Sequence, residues 1–135
     1  MKMLFVDTAG WVAAADGADA AHDDVCAARD AWLATGGILV SSDFVFDETL
    51  TLLKVKLGAT AAEAWWRQIE TSRRLRVEAI NVARQERARL HFFRHRDKSY
   101  SFTDCTSFVL MQELRIRQAL TLDRHFRLAG FDVIP

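Results

Sequence analysis

Proline is nearly missing from this chain: the one prolyl residue is Pro135. Glycine is scarce, with 6 in 135 residues, and no stretch is rich in glycine and serine. These shortages exclude a proline-stiffened or glycine–serine linker, and no segment has the composition of a disordered arm. Internal repeats and low-complexity tracts are absent as well. The chain is therefore expected to form one domain over residues 1–135. Only two cysteines occur, Cys26 and Cys105, and neither belongs to a CxxC spacing. That argues against a zinc or dithiol redox motif. They read as free, buried thiols of a reducing compartment, with a disulfide between them as the alternative. Long apolar runs are lacking too. Met3–Val6 is far shorter than the roughly 20 residues that cross a bilayer, and the N-terminus lacks the layout of a secretory signal. The expected location is cytoplasmic, with no membrane contact.

Net charge is also missing: 18 Lys and Arg balance 18 Asp and Glu. The distribution is uneven. Residues 1–60 hold four basic and nine acidic side chains, whereas residues 61–135 hold fourteen and nine. The basic excess is densest from Arg67 to Lys98. Such asymmetry fits either a polyanionic partner or ordinary solvated helix faces. What the chain has in quantity is hydrophobic residues, 50% of the total, enough for a substantial core.

Met3–Val6 reads as a strand buried on both faces, ending at Asp7. A helix follows to about Ala15, then a small, acidic loop over residues 17–24. The next helix runs from about Asp23 to Ala34 and is stopped by Gly36-Gly37. Ile38–Ser41 is the second strand. Ser42 or Asp43 caps a helix over Phe44–Leu57, which Gly58 ends. Thr60 opens a helix carrying Trp65 and Trp66 to about Arg73. Leu75–Ile80 is the third strand, and Asn81 caps a helix to about Phe93. A polar loop over His95–Tyr100 leads to a helix that starts near Ser101–Thr103 and reaches about Ile116. Ala119–Leu122 is the fourth strand and ends at Asp123. A short helix closes near Gly130, and Asp132–Ile134 is an edge strand. Alternating strands and helices predict a three-layer α/β/α sandwich around a mostly parallel sheet. Ligands of such folds bind beyond the carboxyl ends of the strands.

Four acids stand where that rule points. Asp7 and Asp123 each follow a strand directly, a position that suits a helix cap or a catalytic group. Glu48 shares a helical stripe with Val45, Leu52 and Val55, so it interrupts an apolar face, while Asp47 falls on a solvated one. A carboxylate so placed needs a basic partner, a proton or a metal. Asp104 has Ser107, Phe108 and Met111 as helical neighbours and points inward. It also suits a first-turn acid facing the helix dipole, with Ser101 or Thr103 as cap. Two unit charges about 4 Å apart repel by about 4 kcal/mol at an effective dielectric of about 20. Convergence of all four would thus require protons, basic partners or cations. Oxygen ligands select hard ions such as Mg²⁺ or Mn²⁺, which promote attack on phosphodiesters.

The motifs carrying these acids resemble those of PIN domains. Phe5-Val6-Asp7-Thr8 is similar to the first motif and Asp47-Glu48-Thr49-Leu50 to the second. Ser101-Phe102-Thr103-Asp104-Cys105 resembles the third, and Thr121-Leu122-Asp123-Arg124-His125-Phe126 the fourth. The tail Ala129-Gly130-Phe131 is also of the family's kind. Each motif is short, and their order and spacing over the whole chain give the resemblance its specificity. Within the family, the VapC-like toxins of type II toxin–antitoxin pairs are the group most similar. The resemblance implies a metal-dependent endoribonuclease. Asp7, Glu48, Asp104 and Asp123 would be its acidic, metal-holding and catalytic site, and Thr8 and Ser101 would give hydroxyl support. It also implies Mg²⁺ or Mn²⁺ as cofactor, RNA as substrate, a homodimer and a cognate antitoxin. Asp7 and Asp104 are the expected direct ligands. Glu48 and Asp123 would bind a second ion, orient water or act through bridging waters.

Other features bear on this reading. Arg84, Arg87, Arg94, Arg96 and Lys98 form a basic segment able to contact RNA phosphates. Phe92 and Phe93, interleaved with it, are expected in the core. His91 and His95 share a helix face, but Phe92 stands where a zinc-protease motif needs glutamate. They read as surface or RNA-facing. His125, two residues after Asp123, reads first as an ordinary surface residue, with reach into the cleft as the alternative. Trp65 and Trp66 cannot share a helix face, so one is expected in the core and one at a dimer or antitoxin contact. Two rival functions use the same scaffold. One is a non-catalytic RNA- or protein-binding module. The other is a phosphoacceptor using Asp7, opposed by Ala9 where the second aspartate of that motif belongs.

Overall fold

The elements form where hydrophobic period and caps place them. In the computed structural model, which describes residues 2–135, β1 (Met3–Val6) leads to α1 (Thr8–Ala15) and α2 (His22–Ala34). β2 (Ile38–Ser42) leads to α3 (Asp43–Leu57) and α4 (Ala59–Thr71). β3 (Leu75–Glu78) leads to α5 (Val82–Arg94) and α6 (Phe102–Leu114). β4 (Gln118–Leu120), α7 (Arg124–Leu128) and β5 (Asp132–Ile134) complete the chain. The sheet is parallel throughout, in the order β3-β2-β1-β4-β5. This is the expected α/β architecture, with helices flanking one central sheet. No described helix is long and apolar enough to cross a membrane.

β1 is the centre of the sheet, and Leu4, Phe5 and Val6 are buried. Phe5 pairs with Val40 on one side and Ala119 on the other. The Phe5 ring stacks on Phe126 at 6.2 Å, and Phe108 meets Phe126 edge-on at 5.0 Å. Burying each of these rings contributes about 2–3 kcal/mol. A second aromatic group joins Trp11, Phe46 and Trp65, with Trp66 against Phe46 at 5.8 Å. Trp65 is thus the core member of the tryptophan pair, and Trp66 is half-buried. Gly10 lets α1 press onto β4: a Cβ there would lie 2.2 Å from the Leu120 carbonyl oxygen. That close approach brings the start of α1 beside the end of β4.

Several boundaries differ from the sequence expectation, each for a local reason. α3 begins at Asp43, one residue early, because Ser42, one of the two expected caps, is the one used, its hydroxyl accepting the Val45 amide at 3.1 Å. β3 stops at Glu78 because the Ile80 amide donates to Asp43 Oδ1, at 2.9 Å, rather than to the ladder. α6 ends at Leu114, two residues early. Arg115 adopts a left-handed conformation, φ 58°, and turns Ile116 into the core. Tyr100, placed in a polar loop, is buried against Phe108 at 5.0 Å. Phe93 is exposed rather than core, while Phe92 packs against the core. Both cysteines are free; Cys105 is buried and Cys26 half-buried.

Candidate metal centre

Sheet order reverses at β1, between β2 on one side and β4 on the other, and the crevice at such a reversal is where ligands bind. Asp7 leaves β1 and caps α1, its Oδ1 accepting the Gly10 amide at 2.9 Å. Asp123 follows β4 and caps α7, its Oδ1 accepting the His125 amide at 2.9 Å. Asp104 sits in the first turn of α6 in a reciprocal box. The Ser101 hydroxyl accepts the Asp104 amide at 2.9 Å, and Asp104 Oδ2 accepts the Ser101 amide at 3.0 Å. The cap readings of these aspartates therefore hold, and they hold alongside a shared location. All three, with Glu48 from α3, line one cleft of about 470 Å³.

The cleft has a polar and an apolar end. Thr8, Thr103 and Ser107 stand among the acids, and Val12, Leu52, Val55 and Leu122 form the other wall. Leu52, Val55 and Leu122 are exposed. The stripe that Glu48 interrupts is therefore cleft wall more than core. Glu48 is half-buried and takes part in no ion pair among the described residues.

The acids repel one another without relief from lysine or arginine. Among the described residues, none of the four has a Lys or Arg within ion-pair distance. Burial pushes the Asp7 carboxyl up to about 7. The Gly10 and Thr121 hydrogen bonds oppose that rise, and the charges of Asp123 and Asp104 add to it. Burial likewise pushes Asp104 up to about 6, against the Ser101 hydrogen bonds and with Asp123 adding repulsion. The neighbouring Cys105 thiol is raised to about 11 by burial and by Asp104, which keeps it protonated and inert.

Among the described residues, the cationisable group in ion-pair contact with the acids is His125. Its Nδ1 lies 2.7 Å from Asp123 Oδ1 and 3.6 Å from Asp104 Oδ2. One ligand atom from each of Asp104, Asp123 and His125 falls within 4.8 Å of the others. The tightest grouping therefore pairs Asp104 with Asp123, and Asp7 stands beside it, deeper in the fold. Two buried hydroxyls of the cleft, Thr8 Oγ1 and Ser107 Oγ, have no hydrogen-bond partner. Lys56 also lines the cleft but pairs with Asp16 and Asp19, so the converging carboxylates and unpartnered hydroxyls form an oxygen-rich donor set that fits a hard divalent cation.

The basic segment divides. Arg84 bonds Glu78 and Glu113, and Arg87 bonds Glu113, so these two charges are engaged within the protein. Glu113 lies on α6, packed against α5, and that pairing argues against the phosphate contacts expected for Arg84 and Arg87. Arg94, Arg96 and Lys98 are exposed. Lys98 is 3.5 Å from Asp97, a surface pair worth little. The loop bearing Arg96 and Lys98 reaches the site through Ser99, whose Oγ is 2.7 Å from His125 Nε2. His91 and His95 stack on each other at 4.2 Å, and burial lowers the His91 pKa.

This fold, with acids at the strand ends, is that of a PIN domain. The family's sequence profile matches residues 4–132, and the chain belongs to the PIN domain family. Among curated proteins it is similar to the 23S rRNA-specific endonuclease VapC20 of Mycobacterium tuberculosis. The two are 36% identical over 129 residues, covering 96% of this chain and 95% of VapC20. The crystal structure of VapC20, described as a sarcin–ricin-loop-cleaving toxin, superposes with a TM-score of 0.87 at 34% identity. That match covers 98% of this chain and 99% of the other. FitAcB of Neisseria gonorrhoeae, at 16% identity and a TM-score of 0.66, shares the fold over 98% and 97% of the two chains.

Proposed function

We propose that this protein is a metal-dependent endoribonuclease and the toxin of a type II toxin–antitoxin pair. Its substrate would be a ribosomal RNA loop of the kind VapC20 cleaves. The observation that carries the reading is the cleft itself: four carboxylates in one crevice, none ion-paired with a lysine or arginine among the described residues. The 36% identity to a 23S rRNA-specific endonuclease over nearly the whole chain supports the same activity.

Asp104 and Asp123 would hold the ion, with Asp7 beside them and Glu48 across the cleft. A bound Mg²⁺ or Mn²⁺ would supply Lewis acidity, lowering the pKa of water and stabilising charge on the phosphoryl oxygens. The chain's residues do the rest. Ser101 fixes Asp104 through two hydrogen bonds, and the Gly10 amide fixes Asp7. Glu48, unpaired on the cleft wall, accepts the proton of the attacking water. Thr8 and Ser107 offer free hydroxyls to the ion's shell or to phosphate oxygens. Arg96 and Lys98, on the loop touching His125, position the RNA backbone without reading its sequence.

The exposed wall of Leu52, Val55 and Leu122 suits an apolar antitoxin segment laid beside the acids. Val82, Leu90 and Phe93 are exposed apolar side chains on α5, interspersed with Glu86 and Arg89, and this mixed face suits a second copy in a homodimer. Such a toxin works in the cytoplasm, where its ribosomal target resides. The test is cleavage of ribosomal RNA by purified protein with added Mg²⁺ or Mn²⁺. Cutting should stop on chelation and in Asp7→Asn and Asp104→Asn variants that remain folded. Retained cutting in both variants would refute the mechanism.

A further inference from the structure

His125 takes a position among the acids that an ordinary surface histidine does not need. Its Nδ1 is 2.7 Å from Asp123 Oδ1 and is buried, yet the contact lacks hydrogen-bond geometry. A salt-bridging imidazolium would point its N–H at the carboxylate. The other nitrogen is engaged: Nε2 lies 2.7 Å from Ser99 Oγ. The Tyr100 ring packs edge-on against the imidazole at 5.6 Å and holds its orientation. With Nε2–H donated to Ser99, the neutral tautomer leaves a lone pair on Nδ1, facing the acids. A second ring nitrogen bonded outward is the usual support of a metal-ligating histidine.

The spacings agree. Two donors at right angles on one ion, each about 2.1 Å from it, are about 3.0 Å apart. The separations of 2.7 and 3.6 Å from Nδ1 to Asp123 and Asp104 bracket that edge. Independently, Thr8 Oγ1 and Ser107 Oγ line the same cleft as buried hydroxyls without partners. Thr8 is 6% exposed and Ser107 1%.

We propose that His125 is itself a ligand of the ion. Together with Asp104 and Asp123 it makes a mixed imidazole–carboxylate site that takes a first-row transition ion such as Mn²⁺ in preference to Mg²⁺. The inference rests on the metal-dependent reading above and adds the identity of the ion. Imidazole adds affinity for first-row transition ions, whereas Mg²⁺ favours oxygen donors and keeps several of its waters.

The test reads the ion directly rather than through cleavage. Mn²⁺-loaded wild-type protein is measured by pulsed electron paramagnetic resonance for ¹⁴N coupling. Mn²⁺ and Mg²⁺ are titrated by calorimetry into wild type and His125→Gln. The expected result is an imidazole ¹⁴N coupling that disappears in His125→Gln. Wild type should bind Mn²⁺ at least about tenfold more tightly than Mg²⁺. The variant should lose about tenfold or more in Mn²⁺ affinity while Mg²⁺ affinity changes by less than about threefold. The wild-type spectrum stands even if the variant fails to fold. Bound Mn²⁺ without ¹⁴N coupling, or equal weakening of both ions, would overturn the inference and leave His125 a charge partner of Asp123. If that same protein cuts RNA in Mg²⁺, the nuclease reading survives. If neither ion binds wild type, both fall.

Discussion

Replacing Asp7 with asparagine should stabilise the metal-free protein while abolishing its activity. In the fold the carboxyl is buried and its pKa is raised from 3.8 to about 7. Below about pH 4 the group is protonated whether the chain is folded or not, and it costs nothing. As pH rises, the unfolded chain ionises first, so folding stability falls until about pH 7 and then levels off. A rise of about 3 units at 1.36 kcal/mol each sets an upper bound of about 4 kcal/mol. Asparagine carries no such penalty, and its side-chain oxygen can still accept the Gly10 amide. It also ranks with aspartate as a helix cap. Thermal unfolding in chelator at pH 8 should therefore place Asp7→Asn above wild type, by on the order of 10 °C. At pH 4 the two curves should converge. Saturating Mn²⁺ or Mg²⁺ should narrow the gap at pH 8 by stabilising wild type. If Asp7→Asn melts at or below wild type at pH 8 without metal, the claim that a buried charge strains this site is wrong.

Further outcomes follow from the same geometry. Gly10→Ala forces a Cβ against the Leu120 carbonyl and should cost at least about 1–3 kcal/mol, read as a lower denaturant midpoint. Ser101→Ala removes the hydroxyl half of the box around Asp104. It should cost about 1 kcal/mol of stability in denaturant titration and weaken divalent-ion binding in calorimetry. The Arg96→Ala and Lys98→Ala pair should weaken RNA binding alike across sequences. It should also reduce the slope of log affinity against log salt by about 1.4, whereas Arg87→Ala, already paired with Glu113, should leave that slope unchanged.

Legibility of the fold varied with the range of the forces involved. β1 and the acid closing it could be read because Met3–Val6 is a compact apolar run ending in a charged cap. Asn81 and Gly58 marked helix ends by chemistry confined to one turn. What escaped depended on contacts distant in sequence. The place of His125 two residues after Asp123 is local and legible, but its ring is oriented by Ser99 and Tyr100, from a loop more than 20 residues upstream. Arg84 and Arg87 look like RNA contacts until α6 packs on α5 and brings Glu113 between them. Leu52 and Val55 carry a core-like period, but the surface they cover is the wall of the cleft. Among the acids, motif order located all four, yet the tight pairing of Asp104 with Asp123 needed the sheet order to appear.

The central claim is that these carboxylates tolerate one another because a divalent ion joins them. Its most direct test is the melting temperature of wild type at pH 8 in chelator and then in excess Mn²⁺ or Mg²⁺. Ligand at about 100 times its dissociation constant adds about 2.7 kcal/mol to a folded protein that alone binds it. A rise of several degrees that chelator reverses, and that an Asp104→Asn, Asp123→Asn double variant lacks, is the predicted result. An unchanged melting temperature in wild type, or the same rise in the double variant, would contradict it.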